Sequence, residues 1–344
     1  MAFMKILLAN PRGFCAGVNM AIECVEQAIQ IFGAPLYVYH EIVHNRHVVE
    51  RFVKSGVVFV EGIEDVPDGA VVVFSAHGIS PQVRLAAKTR GCTMIDATCP
   101  LVTKVHMEAI RYAKRGYRIL LVGHAGHDEV VGTVGEAPDA ITVIESPEDV
   151  EQLSFSPGED LVYLTQTTLS VDDADMIIGA IRKKYPDVKA PPSEDICYAT
   201  TNRQHAVRTL ASQVDLVLVV GSKNSSNSLR LTEISENSGA PAYLIDDKNG
   251  IKHEWIAGAD AVLVTAGASA PEYLVREIVD SLVVQYGGKV EEAGMGEDEG
   301  MHFELPLGLR VLRDPKAAVV ERELLGLSKP VNFAAPFGQG YCAR

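Results

Sequence analysis

Cys15, Cys99 and Cys197 occupy comparable contexts, each at or just before the start of a segment with helical spacing. Cys15 lies in "NPRGFCAG", just past an apolar run. Cys99 closes the run in "MIDATCPLVTKV", with Pro100 placed to open a helix at its first position. Cys197 lies in "SEDICYATTNRQ", ahead of a helical stretch. Taken singly, each is explained as well by packing as by chemistry. Together, separated by 84 and 98 residues, they point to three thiolates meeting at one junction. Three soft thiolates suit zinc or an iron–sulfur cluster and leave a metal position open to a substrate. Zinc normally recruits cysteine pairs two to four residues apart, and this chain has none. The spacing therefore favours iron–sulfur without deciding it. Of the six cysteines, Cys24 has helix spacing and Cys92 follows Gly91 at a turn, so both read as packing; Cys342 reads as unconstrained.

Histidines recur at similar places: His44 in "YHEIVHNRH", His77 in "FSAHG", His124 and His127 in "GHAGHDE". The later "GSKNSSNS" and "TAGASAPE" add Ser225, Ser226, Asn227 and Ser269 ahead of helical segments, where unpaired N–H groups face an anion. N-capping is the plain alternative, but Ser225, Ser226 and Asn227 cannot all cap one helix. Glu129, two residues past His127, is placed to relay a proton or to form a surface ion pair. Thr167 and Thr168 close another strand-like run. No GxxxxGK[ST] run and no strand-linked GxGxxG occurs, which disfavours ATPase and dinucleotide-binding readings.

The elements behind these residues are short runs of Val, Ile and Leu at 5–13, 70–78, 117–127, 160–168, 215–227 and 260–272. They are continuous rather than alternating and are separated by amphipathic stretches such as 16–32, 103–116 and 270–287. That pattern belongs to parallel sheets covered by helices on both faces, where ligands gather beyond the strands' C-terminal ends. Two runs per hundred residues give three similar α/β units, with boundaries near Cys99–Pro100 and within "YPDVKAPPSED" at 185–195. The division expected is an N-terminal strand over 1–14 packing in the centre, α/β units over 15–99, 100–196 and 197–290, and an acidic linker and C-terminal extension over 291–344. Within the last segment "EEAGMGEDEG" reads as an acidic linker, "MHFELPLGLRVL" as an added strand, and the final residues as a tail.

A chain of 344 residues with 47% apolar residues can bury several cores. Its formal charge of −14 argues against a nucleic-acid partner but not against an anionic small molecule held by local histidines and N–H groups. No apolar run reaches membrane-spanning length, and the N-terminus reads as a strand rather than a secretory signal. No membrane association and a cytoplasmic location are expected.

The strings "ANPRGFCAGV", "HNRHVVE", "FSAHG", "DATCPLVTKVH", "GHAGHDE", "TQTTLSVDD", "ICYATTNRQ", "VGSKNSSNS" and "TAGASAPE" together resemble the 4-hydroxy-3-methylbut-2-enyl diphosphate reductases. The resemblance runs in order from Lys5 to about Leu312. It implies an α/β fold of three units with mostly parallel sheets, in a pseudo-threefold, trefoil-like arrangement around a central 4Fe–4S cluster. Cys15, Cys99 and Cys197 match the cluster ligands, and one iron stays open to the substrate's allylic hydroxyl. His44, His77 and His127, with Ser225, Asn227 and Ser269, match the residues that hold the diphosphate, and Ser226 lies in the same pocket. Glu129 matches the acid of the proton relay, Thr167 the residue near the hydroxyl, and Thr200 part of the polar surroundings. The implied reaction is a reductive dehydroxylation to isopentenyl diphosphate and dimethylallyl diphosphate, the last step of the non-mevalonate pathway, with electrons from reduced ferredoxin or flavodoxin. Two departures stand out: Asp128 occupies a position where proline is common, and the chain beyond Arg313 has no match.

Two other classes stay open on the residues alone. A metal hydrolase or hydratase uses the same pocket without electron transfer, as iron–sulfur hydratases do with one iron open to a hydroxyl, and a cluster-bearing redox sensor or scaffold does no catalysis. The second gives no reason for polar residues at so many strand ends.

Overall fold

A computed structural model of the chain describes residues 4–156, 158–294 and 299–313. Strand β1 (Lys5–Asn10) leads into helix α1 (Ala16–Phe32), followed by β2 (Leu36–Tyr39), α2 (Arg46–Lys54), β3 (Val57–Val60), β4 (Val71–Phe74), α3 (Pro81–Thr89) and β5 (Thr93–Asp96). Next come α4 (Pro100–Lys114), β6 (Arg118–Val122), α5 (Asp128–Glu136), β7 (Ile141–Ile144), α6 (Pro147–Gln152), β8 (Leu161–Thr165) and α7 (Val171–Lys184). The third group is α8 (Tyr198–Ala211), β9 (Leu216–Val220), α9 (Ser226–Asn237), β10 (Ala242–Ile245), α10 (His253–Ile256), β11 (Ala261–Ala266), α11 (Glu272–Tyr286) and β12 (Lys289–Gly294), and α12 (Leu307–Arg313) follows. Among the described residues, no helix is long and apolar enough to cross a membrane.

These strands make three parallel sheets, ordered β3-β2-β4-β5, β7-β6-β8 and β10-β9-β11-β1-β12. Each sheet is apolar on both faces because its strands are, and helices cover both. In the first, Val38 and Val73 face the α1 side while Val72 and Phe74 face the other. In the second, Leu120 and Val122 oppose Ile119 and Leu121. In the third, Ile6 and Leu8 oppose Leu7 and Ala9. The α/β architecture of three units around one central cavity is therefore what the sequence pattern predicts.

The N-terminal strand belongs to the third sheet, where β1 pairs with both β11 and β12. The acidic run begins as strand, with Glu291 and Glu292 opposite Leu7 and Leu8. Its outer position on an exposed edge tolerates those charges. The strand expected near 301–312 is instead helix α12. Pro306 precedes it, and Leu309 of the helix packs with Leu305 and Phe303, which lie just before it, against the α1 core. Within 185–195, Lys189 forms a parallel bridge to Val162, so this connection runs along β8.

Candidate active site

Each of the three cysteines is the N-cap of a helix: Cys15 of α1, Cys99 of α4 and Cys197 of α8. Each also donates its backbone N–H to a carbonyl two residues past a strand: Cys15 to Ala268 (3.2 Å), Cys99 to Ala76 (3.0 Å) and Cys197 to Thr167 (3.0 Å). Those acceptors follow β11, β4 and β8, the neighbours of the chain that leads into each cysteine. The helix that follows packs on a different sheet: α1 on the first, α4 on the second, α8 on the third. Every cysteine thus marks a crossing from one unit to the next. Three helix N-termini, with their unpaired N–H groups and partial positive charge, are aimed at one place.

The fit of these residues to a metal group can be tested on distances. Three thiolates on one zinc ion lie about 3.8 Å apart, given a Zn–S bond of about 2.3 Å. Among the described residues, the only three ligand atoms within 4.8 Å of one another come from His44, His77 and Asp128, so the three sulfurs are spread more widely. That spread suits a cluster of several irons rather than one ion. An ideal Cβ on Gly17 would lie 2.6 Å from Cys99 Sγ and 3.9 Å from Cys15 Sγ, so glycine is needed for the sulfurs to approach this backbone. Gly13, the other glycine of the same loop, does not face a sulfur. Its φ of +66° shapes the loop, and its carbonyl is held by Arg203. Burial pushes the Cys99 thiol up to about 12 and Cys197 to about 11. Thiols so disfavoured as anions ionise when a bound cation offsets the cost. Cys24 and Cys92 are core residues, and Cys342 lies outside the described residues.

On the other side of the cavity three imidazoles converge. His44 and His77 are stacked at 4.0 Å between ring centroids, and His127 meets both edge-on at 5.6 and 5.9 Å. His44 precedes α2, His77 follows β4, and His127 is the N-cap of α5, its Nδ1 accepting from the Glu129 N–H at 3.2 Å. Burial, then mutual repulsion with His44, holds His77 well below the ordinary imidazole range and His127 down at about 4. Of the α9 residues Ser225 is the cap, accepting from the Ser228 N–H. Ser226 and Asn227 are left to other partners. Ser226 meets Thr168, and Asn227 Oδ1 accepts from the Ala268 N–H. Ser269 Oγ donates to the His44 carbonyl at 3.0 Å. Among the described residues, no lysine or arginine lines the cavity.

Glu129 is fully buried between these two ends. Its Oε1 accepts from the Thr167 N–H at 2.7 Å and its Oε2 from Thr167 Oγ1 at 2.9 Å. Burial raises its carboxyl to about 7, against the lowering pull of those two bonds. Thr200 joins the sulfur side, its Oγ1 lying 3.2 Å from Cys197 Sγ and 3.5 Å from Asn227 Nδ2. Every candidate named from the sequence, His124 excepted, lines this one cavity. His124 faces outward and meets Arg230 at 3.3 Å.

Several supporting residues carry no local sequence signal. Asp128, noted in the sequence only as a departure from a common proline, touches three histidines: Oδ1 accepts from His40 Nδ1 at 2.9 Å, and Oδ2 lies 3.9 Å from both His44 Nε2 and His77 Nδ1. Arg203, wholly buried, ties α8 to Gly13 and Glu299. Lys104 reaches the Asp195 carboxylate at 2.8 Å. Their partners are remote in sequence, and no local pattern announces them.

Against known proteins, residues 6–283 match the model of the family described as LytB protein. The chain is 52% identical over 318 residues to the 4-hydroxy-3-methylbut-2-enyl diphosphate reductase of Rhodopirellula baltica, covering 92% of this chain and 99% of that protein. It is 54% identical over 311 residues to the enzyme of the same name from Pectobacterium carotovorum, covering 90% and 98%. Among solved structures, the E-1-hydroxy-2-methyl-but-2-enyl-4-diphosphate reductase from Plasmodium falciparum superimposes with a TM-score of 0.88 at 39% identity, covering 93% of this chain and 99% of that one. A second reductase structure, described as the terminal enzyme of the non-mevalonate pathway, gives 0.59 at 32% identity, covering 81% and 99%. The chain belongs to the LytB protein family, whose relatives are the 4-hydroxy-3-methylbut-2-enyl diphosphate reductases.

Proposed function

We propose that this chain reductively removes the allylic hydroxyl of 4-hydroxy-3-methylbut-2-enyl diphosphate, giving isopentenyl diphosphate and dimethylallyl diphosphate, the last step of the non-mevalonate pathway. The observation that carries the reading is the buried Glu129–Thr167 pair, set between three helix-capping cysteines and a wall of imidazoles and hydroxyls. Cys15, Cys99 and Cys197 would hold a 4Fe–4S cluster with one iron free of protein ligands, a group that supplies electrons singly and a Lewis-acid position for the hydroxyl oxygen.

The rest falls to the side chains. His44, His77 and His127, with Ser225, Ser226, Asn227 and Ser269, hold the diphosphate, which is remote from the bond that breaks and serves as a handle. Thr167 positions the hydroxyl end, and Thr200 completes the polar wall beside Cys197. Glu129 delivers a proton to the departing oxygen. With a carboxyl near 7 it carries that proton in a large share of molecules at neutral pH. Two electrons and two protons are consumed: the C–O bond breaks, one proton leaves with the oxygen as water, and the other forms the new C–H bond. Reduced ferredoxin or flavodoxin supplies the electrons.

The test is oxygen-free incubation of the holoenzyme with the allylic diphosphate and a strong reductant. Deoxygenated C5 diphosphates support the reading. Recovery of unchanged substrate, or of a hydrated product without electron uptake, contradicts it.

A further inference from the structure

His106 is buried in α4 two turns past Cys99, does not line the central cavity, and has no part in the chemistry proposed above. Its Nδ1 lies 3.1 Å from Oε1 of Glu136, the last residue of α5. The carboxylate accepts, so Nδ1 carries a proton for this one partner. Nε2 is buried with no partner. A buried nitrogen left unpaired costs stability, so an apolar side chain would serve better if filling space between helices were the whole task.

The contacts of the ring are specific. Gly78, directly after His77, runs along its Cε1–Nε2 edge: an ideal Cβ there would lie 3.0 Å from Cε1 and 3.1 Å from Nε2. Gly132 meets the same edge, its ideal Cβ 3.3 Å from both atoms and 3.4 Å from the Gly78 carbonyl carbon. Gly132 lies inside α5, one turn past Glu129. A glycine there weakens the helix relative to alanine, and the ring is a reason for having one. One turn further on, Gly135 faces Ser80, whose Cβ a side chain would overlap. The backbone of 78–80 in the first unit, α5 in the second, and α4 with its cap Cys99 therefore meet at the edge of one imidazole.

We propose that His106 is a positioning residue: held by Glu136, its ring fixes the His77 loop and the Glu129 helix against the helix that presents Cys99. The role rests on the reading of His77 as a diphosphate ligand and Glu129 as the proton donor. His77 then holds one end of the substrate while Cys99 and Glu129 serve the other, so an error in their spacing misplaces the hydroxyl. A shift of about 1 Å at a reacting group can cost about a hundredfold in rate.

The test is a double-mutant cycle on anaerobic holoenzyme, reading kcat and KM per cluster-loaded chain beside a denaturant titration. Gly132→Ala should lower kcat by about ten- to a hundredfold. It should also lower the unfolding midpoint, although alanine is the better helix former. His106→Asn keeps an N–H for Glu136 and removes the Cε1–Nε2 edge; it too should lower kcat by about tenfold or more, with iron per chain unchanged. In the His106→Asn background Gly132→Ala should change sign, raising the midpoint and recovering kcat, because the methyl refills space the ring left. His106→Ala repeats the cycle if the amide disturbs folding. Wild-type kcat in His106→Asn, or a Gly132→Ala effect of the same size in both backgrounds, overturns the proposal. A restored midpoint without restored kcat makes the ring a packing residue and overturns the positioning role. Wild-type holoenzyme that leaves the allylic diphosphate unchanged removes the functional reading, and the positioning role with it.

Discussion

Glu129 shows how a single residue acquires a role from its surroundings. A glutamate on a surface helix is ionised at neutral pH; here burial raises it to about 7, and two bonds from Thr167 hold it from rising further. On the proposed reaction only the protonated form delivers a proton, so turnover should fall as pH rises through about 7. Removing the Thr167 hydroxyl removes one lowering contact, and Thr167→Val should therefore move that alkaline limb to higher pH while slowing turnover. A pH–rate profile in which the limb stays fixed would separate Thr167 from Glu129. Glu129→Gln should lower kcat by about 10²–10⁴ with cluster content unchanged; wild-type turnover would remove Glu129 from the relay. At this scale the sequence was informative, because strand-end positions and residue types mark out Glu129, Thr167 and the three histidines. Asp128 stood out only as a departure from a common proline, since its contacts are with rings carried by the loops after β2 and β4.

The elements place the cysteines by one device used three times: a strand end, a carbonyl anchor on the neighbouring strand, and a helix capped by the thiol. Helix starts at Cys99 and Cys197 were readable from Pro100 and from the periodicity beyond. What was not readable is that each helix leaves for a different sheet. Gly17 sits in this device with no room for a side chain. Gly17→Ala should therefore abolish cluster assembly, read as iron per folded chain, whereas Cys92→Ser, in a separate core, should leave it unchanged; equal iron in both would refute the close approach. Charged ties brace the α8 end. Asp195 accepts from Lys104 and from the Thr165 N–H just before Cys197, and Arg203 grips Gly13 and Glu299 just after it. These pairs stand 91 and 190 residues apart for Lys104–Asp195 and Arg203–Gly13, which is why the sequence hid them. Arg203→Ala strands buried acceptors and should cost about 3 kcal/mol in a denaturant titration of the holoenzyme. A change near zero would show that the tie is decorative. The short run before α12 illustrates the opposite limit: its Leu and Val spacing fits strand or helix, and Pro306 with packing on α1 decides for helix.

For the whole molecule, three sheets of unequal size close around a cavity of about 100 Å³, below the ~300 Å³ at which ligand pockets usually begin. Entry of a C5 diphosphate is therefore expected to require the units to move apart. The seam between the second and third units is held by Arg230, which reaches His124, Asp173 and Glu233. Arg230→Ala should raise KM about five- to tenfold through a smaller closed fraction, with kcat less affected; an unchanged KM would place the hinge elsewhere. Three α/β units were legible from the spacing of apolar runs, but the threading of β1 into the third sheet was not, because pairing partners 256 and 284 residues away leave no local mark. The central claim is that three thiolates from three junctions hold one electron-transferring cluster. Iron and sulfide counts on protein purified without oxygen, taken with the paramagnetic resonance spectrum after reduction, test it most directly. The account predicts about four iron and four sulfide per chain and a reduced-cluster signal that changes when the allylic diphosphate is added. Stoichiometric zinc, or no metal after anaerobic reconstitution, would contradict it.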